Sequence, residues 1–328
     1  MSKLVTIYGG SGFIGRYIAQ NCAKAGWRVR VAVRRPNEAM FVKPYGVVGQ
    51  VEPVLCNIRD DASVRSVMQG ADVVVNCVGI LAPSGKNTFD AVQHEGAERI
   101  ARIAAAEGVQ KMVHVSAIGA DADSNSDYAR TKALGEAGVL EHMPNAMILR
   151  PSIVFGTEDE FFNRFAGMAR MGPALPIISP KTKFQPVYVD DVADAAMAGI
   201  DGDATGIHEL GGPDVNTFRE LMQQMLEVIQ RRRLIVGLPV FVGRIMGFGF
   251  DMLNAVSLGL IPAAVTRDQV RNLAKDNVVS GQYPGLADLG IKPTALEAVL
   301  PDYLWVYRHT GQYAEIKNSA KNLRGTDL

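Results

Sequence analysis

Three glycines near the start of the chain have the spacing of a loop that binds phosphate. The stretch 9–15 (GGSGFIG) follows a short apolar run and opens a helical pattern. One glycine permits a tight strand-to-helix turn, one lets backbone amides approach a pyrophosphate, and one lets the helix pack closely on the sheet. The helix N-terminus then faces the phosphate charge. We therefore predict a dinucleotide site here, the alternative being a structural turn without a ligand.

Two arginines indicate which dinucleotide the loop holds. A site for NAD usually places Asp or Glu at the end of the second strand, on the ribose hydroxyls. In this chain the second apolar run ends with Arg34 and Arg35, and the first acidic residue after it is Glu38. A guanidinium fork suits the 2′-phosphate of NADP. We predict NADPH as the cofactor, the alternative for the arginines being a solvated basic turn.

The ends of two later strands are expected to line the same crevice. Asn57 and Ile58 follow the third apolar run, where an amide could bind the adenine edge. Val78 and Gly79 follow the fourth run, and Gly79 has no side chain to hold a ligand away from the backbone. Ordinary packing at a strand end is the alternative for both pairs.

The elements that must position these residues alternate through the first half of the chain. Continuous apolar runs are typical of strands buried on both faces of a parallel sheet. The predicted strands are Leu4–Tyr8, Arg28–Val33, Val51–Cys56, Val73–Cys77, Lys111–Ser116 and Ala146–Arg150. The predicted helices are Gly12–Ala25, Ala62–Met68, Ala91–Glu107 and Tyr128–Glu141. This order predicts an α/β fold, a Rossmann-type doubly wound parallel sheet with right-handed crossovers.

The second half of the chain has a different pattern, with Gly and Pro punctuation and short apolar runs. We expect residues 1–155, with a returning segment at about 185–212, to form the NADP-binding domain. Residues 156–328 are expected to form a smaller, mixed C-terminal domain of the substrate-binding or docking type. A helix is predicted over 217–233, because Thr217 is a plausible N-cap and Glu220 stands three residues later. The last dozen residues are expected to be a solvated tail.

The segment 234–262 is apolar and follows a basic cluster at 230–233 (QRRR). Its only charged residues are Arg244 and Asp251, which are seven apart and share one face of a helix. An amphipathic segment beside a basic cluster suits an anionic membrane surface or a partner's hydrophobic groove. We therefore predict contact with lipid head groups through 231–262, the alternative being a core helix pair of the smaller domain.

Composition excludes several other classes. Lys plus Arg equals Asp plus Glu, at 34 each, so a nucleic-acid partner is not expected. The three cysteines are widely spaced and the five histidines show no ligand spacing, which predicts reduced cysteines and no metal site. No uninterrupted apolar stretch is long enough for a transmembrane helix. No signal or transit segment is expected before the first strand.

Four stretches of the sequence resemble the extended short-chain dehydrogenase/reductases. They are the glycine loop, 128–132 (YARTK), 150–156 (RPSIVFG) and 185–193 (QPVYVDDVA). Tyr128 and Lys132 match the catalytic pair of that family and lie on one helical face. The resemblance implies that the lysine holds the nicotinamide ribose and that the tyrosine exchanges a proton with the substrate oxygen.

Two departures from the family pattern weaken the expectation of catalysis. Active relatives place a Ser or Thr where this chain has Ile118, and Ser116 lies two residues earlier, about 6.6 Å along an extended strand. A hydrogen bond reaches only about 3 Å. Gln93 also replaces an Asn that is common in relatives. We therefore expect Tyr128 and Lys132 to hold the cofactor rather than to perform chemistry.

The combination of features is most similar to one atypical branch, the NADPH-binding accessory subunits of respiratory complex I, called alpha subcomplex subunit 9 in mitochondria. The carrying stretches are 9–16, 33–36 (VRRP), 114–116 (HVS), 155–159 (FGTED) and 301–308 (PDYLWVYR), together with Tyr128 and Lys132. The resemblance implies a tightly held NADPH that does not turn over. It also implies docking on the peripheral arm near the quinone site, at the inner membrane, on the cytoplasmic side in a bacterium or the matrix side in a mitochondrion.

Two other functions remain open at this stage. One is an NADP-dependent reductase or epimerase acting on a quinone precursor, an isoprenoid or a nucleotide sugar. The other is a redox sensor that changes partner with the NADP/NADPH ratio, which requires different partner affinities for the two forms. In every case the residues that we expect to contact the cofactor are Gly9, Gly10, Ser11, Gly12, Phe13, Ile14, Gly15, Arg34, Arg35, Asn57, Ile58, Val78, Gly79, Ser116, Tyr128, Lys132, Pro151 and Ile153.

Overall fold

A computed structural model describes residues 3–243, 245, 266–309 and 311–313 of the chain. Its strands are β1 (Leu4–Tyr8), β2 (Arg28–Val33), β3 (Val51–Leu55), β4 (Val73–Asn76), β5 (Lys111–Val115), β6 (Met147–Pro151), β7 (Val154–Phe155), β8 (Ala174–Ile178), β9 (Lys183–Phe184), β10 (Val187–Tyr188), β11 (Gly206–Leu210), β12 (Asn216–Thr217) and β13 (Leu234–Leu238). The helices named below are α1 (Phe13–Lys24), α2 (Asp61–Met68), α3 (Glu95–Ala106), α4 (Asp127–His142), α5 (Phe162–Met171), α6 (Val189–Ile200), α7 (Phe218–Val228), α8 (Arg267–Asn272) and α9 (Leu296–Leu304).

Seven parallel strands form the central sheet, in the order β3-β2-β1-β4-β5-β6-β11. The predicted Rossmann-type fold is therefore confirmed. β1 and β4 are buried along their whole length, because α1 and α6 pack on one face of the sheet and α2, α3 and α4 on the other. The strand order reverses between β1 and β4, and ligands of such sheets bind at this switch point, beyond the carboxyl ends of the strands.

The C-terminal part of the chain is built from short strand pairs and helices around a third apolar core. β8 pairs with β13 and β7 with β10 in parallel, whereas β9 and β12 are antiparallel. Edge-to-face and tilted aromatic contacts dominate this core, and such pairs stabilise beyond the area that they bury. The aromatic residues of the core include Phe155, Phe161, Phe162, Phe165, Phe184 and Phe218.

The predicted helix over 217–233 starts as expected but ends early. Thr217 and Glu220 form the predicted capping box. The helix α7 nevertheless stops at Val228, because Gln230 adopts a left-handed conformation with φ of 53°. The amides of Gln230 and Arg231 then donate to the carbonyls of Glu227 and Leu226, which is the Schellman arrangement. Glycine usually occupies this position at a helix end, so the glutamine gave no indication in the sequence that the helix ends here.

The prediction of an amphipathic helical segment from residue 234 is wrong at its start. Residues 234–238 form β13, whose register pairs Ile235 with Leu175 of β8. Extended backbone is favoured here because β8 offers an open edge and the β-branched Ile235 and Val236 suit a strand. Residues 244 and 246–265, which include Arg244 and Asp251, and the predicted tail lie outside the described residues. Among the helices that are described, none is long and apolar enough to cross a membrane.

The left-handed Gln230 generates a stability prediction. Gln230→Gly should raise the free energy of unfolding by roughly 0.5–1 kcal/mol, because glycine adopts φ > 0 without the penalty that a Cβ incurs. The matched control is Gln223→Gly on the exposed face of α7, which should lower it by about 1 kcal/mol. Urea unfolding of both variants measures the difference. Equal destabilisation by the two substitutions would contradict the assigned helix end.

Candidate nucleotide-binding site

The glycine loop is shaped by contacts that leave no room for side chains. Gly9 has a φ of 76°, and a Cβ on Gly9 would lie 3.1 Å from the carbonyl carbon of Cys77. At Gly15 a Cβ would clash with the carbonyl oxygen of Gly9, so only glycine lets α1 approach the end of β1 this closely. The amide of Gly12 donates to the same Gly9 oxygen at 2.9 Å, which fixes the turn.

The start of α1 has the features of an anion site. Its N-cap is Gly12, which has no side chain to bond the first amides of the helix, and these amides have no partner within the helix itself. Gly12 is exposed, while Ser11, Phe13 and Ile14 beside it are half-buried. A cradle without side chains at a helix N-terminus fits the pyrophosphate of a dinucleotide.

The two arginines after β2 differ in their surroundings. Both are exposed. Arg35 forms an ion pair with Glu38 at 3.0 Å, so its guanidinium is already engaged. Arg34 has no side-chain hydrogen bond or ion pair with any residue that the structure describes. Of the two predicted 2′-phosphate ligands, Arg34 is therefore the one whose charge is available.

The residues that follow β3 and β4 are held by local hydrogen bonds. The amide of Asn57 donates to Ser63 Oγ at 2.9 Å, and its own side-chain oxygen accepts from the amide of Arg59 at 3.2 Å. Ile58 lies against α3, where a Cβ on Gly96 would be 3.0 Å from its Cδ1. The side chain of Asn57 is exposed at the crevice, a position from which it can meet an adenine edge.

A buried asparagine and histidine support the loop after β4. The amide of Val78 donates to Asn76 Oδ1 at 3.0 Å, and Asn76 Nδ2 lies 3.1 Å from His114 Nδ1. Because the oxygen of Asn76 accepts from Val78, its nitrogen must donate, and His114 Nδ1 accepts. Burial, followed by the nearby Lys132 charge, lowers the pKa of His114 to about 3. The imidazole is thus neutral and fixes the backbone at Val78.

Lys132 lies beneath the same loop. Its ammonium donates to the carbonyl of Val115 at 3.1 Å, and a Cβ on Gly79 would be 3.5 Å from Nζ. Burial lowers the pKa of Lys132 to about 8, and the Glu136 carboxylate partly opposes this shift. The structure thus brings Gly79, Lys132 and the end of β5 together at one end of the crevice.

The surroundings of Tyr128 keep its hydroxyl protonated. The ring is half-buried and meets Phe89 edge to face at 6.0 Å. Burial, and then the negative charge of Asp268, raise the pKa of Tyr128 to about 12. A general base works best with a pKa near the working pH. Without a nucleotide the hydroxyl therefore stays protonated at neutral pH, so it can donate a hydrogen bond but is not a base.

Ser116 and the two positions that depart from the family pattern, Ile118 and Gln93, lie around this pair. Ser116 Oγ is buried and has no hydrogen-bond partner among the residues that the structure describes. Ile118 donates its amide to the carbonyl of Pro151 at 3.0 Å, which ties the loop after β5 to the end of β6. Gln93 is buried in a π-helical turn (Asp90–His94) at the start of the predicted helix 91–107, and its Oε1 accepts from Thr131 at 2.9 Å. A buried hydroxyl without a partner fits a site that a ligand completes.

Pro151 and Ile153 lie where β6 ends. The residue between them, Ser152, donates its hydroxyl to Asn277 Oδ1 at 2.7 Å, and the amide of Ile153 donates to the same oxygen at 3.1 Å. This edge of the crevice is therefore fixed by a residue from far along the chain. The structure thus places all the predicted cofactor contacts at or next to the carboxyl ends of the strands.

Sequence reasoning missed a link between the glycine loop and the C-terminal part. Arg16 donates to the carbonyls of Ser11 and Gly12 and forms an ion pair with Glu158 at 3.1 Å. The next residue, Asp159, is buried and accepts hydrogen bonds from the Tyr303 hydroxyl and the amide of Asn163. Residues 158 and 159 thus form a structural junction. The stretch FGTED carried a resemblance but gave no local signal for these long-range partners.

A second missed residue is Asp268, which lies 140 positions after Tyr128 and binds its backbone amide at 3.2 Å. No spacing in the sequence could reveal this contact. Within the ranges that the structure describes, no group of His, Cys, Asp or Glu side chains could hold a metal ion.

Comparisons with known proteins point to one family. Residues 5–209 match the model of the NAD dependent epimerase/dehydratase family. The protein named NADH dehydrogenase (ubiquinone) 1 alpha subcomplex subunit 9, mitochondrial, of Arabidopsis thaliana is 35% identical over 316 residues, which are 94% of this chain and 79% of that protein. The protein of the same name in Mus musculus is 33% identical over 301 residues, which are 90% of this chain and 78% of that protein.

A solved structure is similar in fold. The UDP-glucose 4-epimerase of Thermus thermophilus, in complex with NAD, aligns with a TM-score of 0.66 and 19% identity, covering 93% of this chain and 99% of that one. At this identity the similarity concerns the fold and carries no conclusion about the substrate.

The unpartnered hydroxyl of Ser116 generates a prediction with two opposite effects. Ser116→Ala should leave the nucleotide-free protein as stable or up to about 1 kcal/mol more stable, because a buried hydroxyl without a partner is costly. The same change should weaken NADPH binding about three- to tenfold, which is the loss of one hydrogen bond. Fluorescence titration and urea unfolding measure the two effects.

The matched control is Ser124→Ala, since Ser124 Oγ accepts from the amide of Ser126 at 3.2 Å. This change should lower the free energy of unfolding by about 1 kcal/mol. Unchanged NADPH affinity in Ser116→Ala would contradict the placement of Ser116 against the cofactor.

Proposed function

The chain belongs to the NAD dependent epimerase/dehydratase family, and we propose that it is a non-catalytic accessory subunit of respiratory complex I that binds NADPH tightly and stabilises the peripheral arm near the quinone site. The observation that carries this proposal is the relationship to the alpha subcomplex subunit 9 proteins. It extends over nearly the whole chain, including the C-terminal part that holds no glycine loop.

The charged side chains after β2 favour NADPH as the cofactor. The available guanidinium of Arg34 stands at the end of β2, and the first acid after it in the chain, Glu38, is neutralised by Arg35. When bound, NADPH supplies a hydride at its nicotinamide ring. Gly9, Gly12 and Gly15 would hold its pyrophosphate, and Lys132 and Ser116 would lie at its nicotinamide end.

Retention without turnover is supported by the groups around Tyr128. The family position for a hydrogen-bonding Ser or Thr holds Ile118, whose side chain has no polar atom. Tyr128 keeps its proton, because burial and Asp268 raise its pKa to about 12. These groups can orient a cofactor and exclude water, but Ile118 cannot donate the hydrogen bond that holds the substrate oxygen in active relatives.

A basic and apolar surface on the C-terminal part supports docking at a membrane or a partner subunit. An open groove of about 620 Å³ lies between α7 and β13 and is lined by Arg219 and by Arg231, Arg232 and Arg233. Leu234 at its edge is 70% exposed, and Met171 at the end of α5 is 84% exposed. Arginines beside exposed apolar side chains suit anionic lipid head groups near the peripheral arm. We accordingly place the protein on the inner membrane, peripherally, on its cytoplasmic or matrix side.

The complex I assignment predicts what the protein carries when it is recovered from its own membrane. The tagged full-length chain, extracted in mild detergent and analysed by native mass spectrometry, should appear with complex I subunits and one bound NADPH. Leu234→Glu should reduce the fraction found in the complex severalfold, because a charge in an apolar contact must be desolvated. The matched control is Val215→Glu, which changes a residue that is 51% exposed outside this groove.

Recovery of the wild-type chain free of complex I subunits would overturn the assignment. Oxidation of its bound NADPH by a quinone precursor, an isoprenoid or a nucleotide sugar would favour a reductase or epimerase instead. A changed partner set on oxidation of the nucleotide would favour a redox sensor.

The NADPH proposal predicts a specific effect at Arg34. Arg34→Asp should weaken NADPH binding by about ten- to a hundredfold, since a charge-assisted bond contributes roughly 1.5–3 kcal/mol. NADH binding should change little, because NADH has no 2′-phosphate. The control is Arg28→Asp, an equally exposed arginine at the opposite end of β2. Parallel losses for NADPH and NADH in Arg34→Asp would contradict the assigned contact.

A further inference from the structure

The helix α8 crosses the crevice where the nucleotide is expected. Gln269 of α8 donates to the carbonyl of Leu81, in the loop after β4, at 3.3 Å. Arg271 donates to the carbonyl of Asn125, in the loop after β5, at 2.9 Å. The carboxyl ends of these neighbouring strands form the mouth of the site. A short helix from late in the chain therefore bridges the two loops that border the nicotinamide end.

Asp268 fastens α8 to the N-terminus of α4. Its carboxylate accepts from the amide of Asp127 at 2.8 Å, from the amide of Tyr128 at 3.2 Å and from the hydroxyl of Ser126 at 2.9 Å. Because the first amides of a helix lack internal partners and carry partial positive charge, they favour a carboxylate. The N-cap Ser126 thus shares its task with a residue from another part of the chain.

The segment that follows α8 is anchored on the opposite border of the site. Asn277 accepts from Ser152 and Ile153 at the end of β6, and its amide donates to the carbonyl of Lys183 at 2.8 Å. Thr182 donates to the carbonyl of Leu273 at 2.7 Å. Residues 266–277 are thereby attached at both ends, with α4 on one side and β6 on the other.

We propose that residues 266–277 form a clasp over the nicotinamide end of the site, and that Asp268 is the positioning residue that keeps it closed. Nucleotide exchange then requires the bonds between Asp268 and α4 to break. The clasp covers the side of Tyr128 from which a substrate would approach, so it retains the cofactor and excludes other molecules. This inference rests on the proposed function, since it supplies a physical cause for tight NADPH retention.

The test is the release rate of NADPH from the full-length loaded protein, followed by its fluorescence after addition of excess NADP. Asp268→Ala should release NADPH at least about tenfold faster than the wild type. The release rate of Asp268→Asn, which keeps an acceptor oxygen but no charge, should lie between those of the wild type and Asp268→Ala. Asp214→Ala, at an exposed acid away from the site, should match the wild type.

Two further measurements separate a clasp from general loosening. The release of 2′,5′-ADP, which lacks the nicotinamide half, should be unchanged in Asp268→Ala. If that variant does not fold, the double variant Gln269→Ala with Arg271→Ala removes the other two bridging bonds, together with the bond from the amide of Thr266 to Gln269 Oε1 at the start of α8, and leaves the cap on α4 intact. It should also accelerate NADPH release, severalfold.

The outcomes for the two proposals are distinguishable. The ratio of variant to wild-type release rates tests the clasp. Folded variants that release NADPH at the wild-type rate would overturn it. Equal acceleration of NADPH and 2′,5′-ADP release would also overturn it, because the effect would then concern the whole site. The absolute release rate of the wild type tests the proposal that NADPH is tightly retained. Release within seconds would refute tight binding, even if the variants released NADPH faster still.

Discussion

The close approach of α1 to the end of β1 is the contact on which the rest of the site depends. With Gly15 against the Gly9 carbonyl, the first amides of α1 lie at the switch point of the sheet, where parallel strands leave a crevice. Arg16, the next residue, bonds back to the loop and reaches Glu158. The same turn therefore shapes the phosphate cradle and joins it to the C-terminal part of the molecule.

The site combines a well-formed place for a cofactor with poor conditions for its turnover. Burial shifts the pKa values of the family pair in opposite directions, because desolvation disfavours the charged form of each group. It lowers the pKa of Lys132 and raises that of Tyr128. A ligand that binds only the folded state adds to the stability of that state. A bound nucleotide can therefore stabilise the fold of an accessory subunit without being turned over. The buried Ser116 hydroxyl without a partner agrees with a site that the ligand completes.

The first half of the chain was predictable because its signals are local. Continuous apolar runs, glycine spacing and the i, i+4 pair of Tyr128 and Lys132 each depend on residues close in sequence. The observed strands match the predicted ones or differ from them by one residue at one or both ends. The elements of the second half were less predictable. Gln230 ends α7 without a glycine, and residues 234–238 extend because β8 provides an edge. Pairing with a distant strand overrides local periodicity.

Local patterns of residue types encode the fold class, the glycine cradle and the charge that favours a 2′-phosphate, because each depends on a short stretch of the chain. The tertiary structure was needed to show that Ser116 has no partner among the described residues and that Asp268 lies on the N-terminus of α4. These depend on groups that come together from positions far apart in the chain. Burial and electrostatic environment are properties of that assembly, and no local pattern carries them.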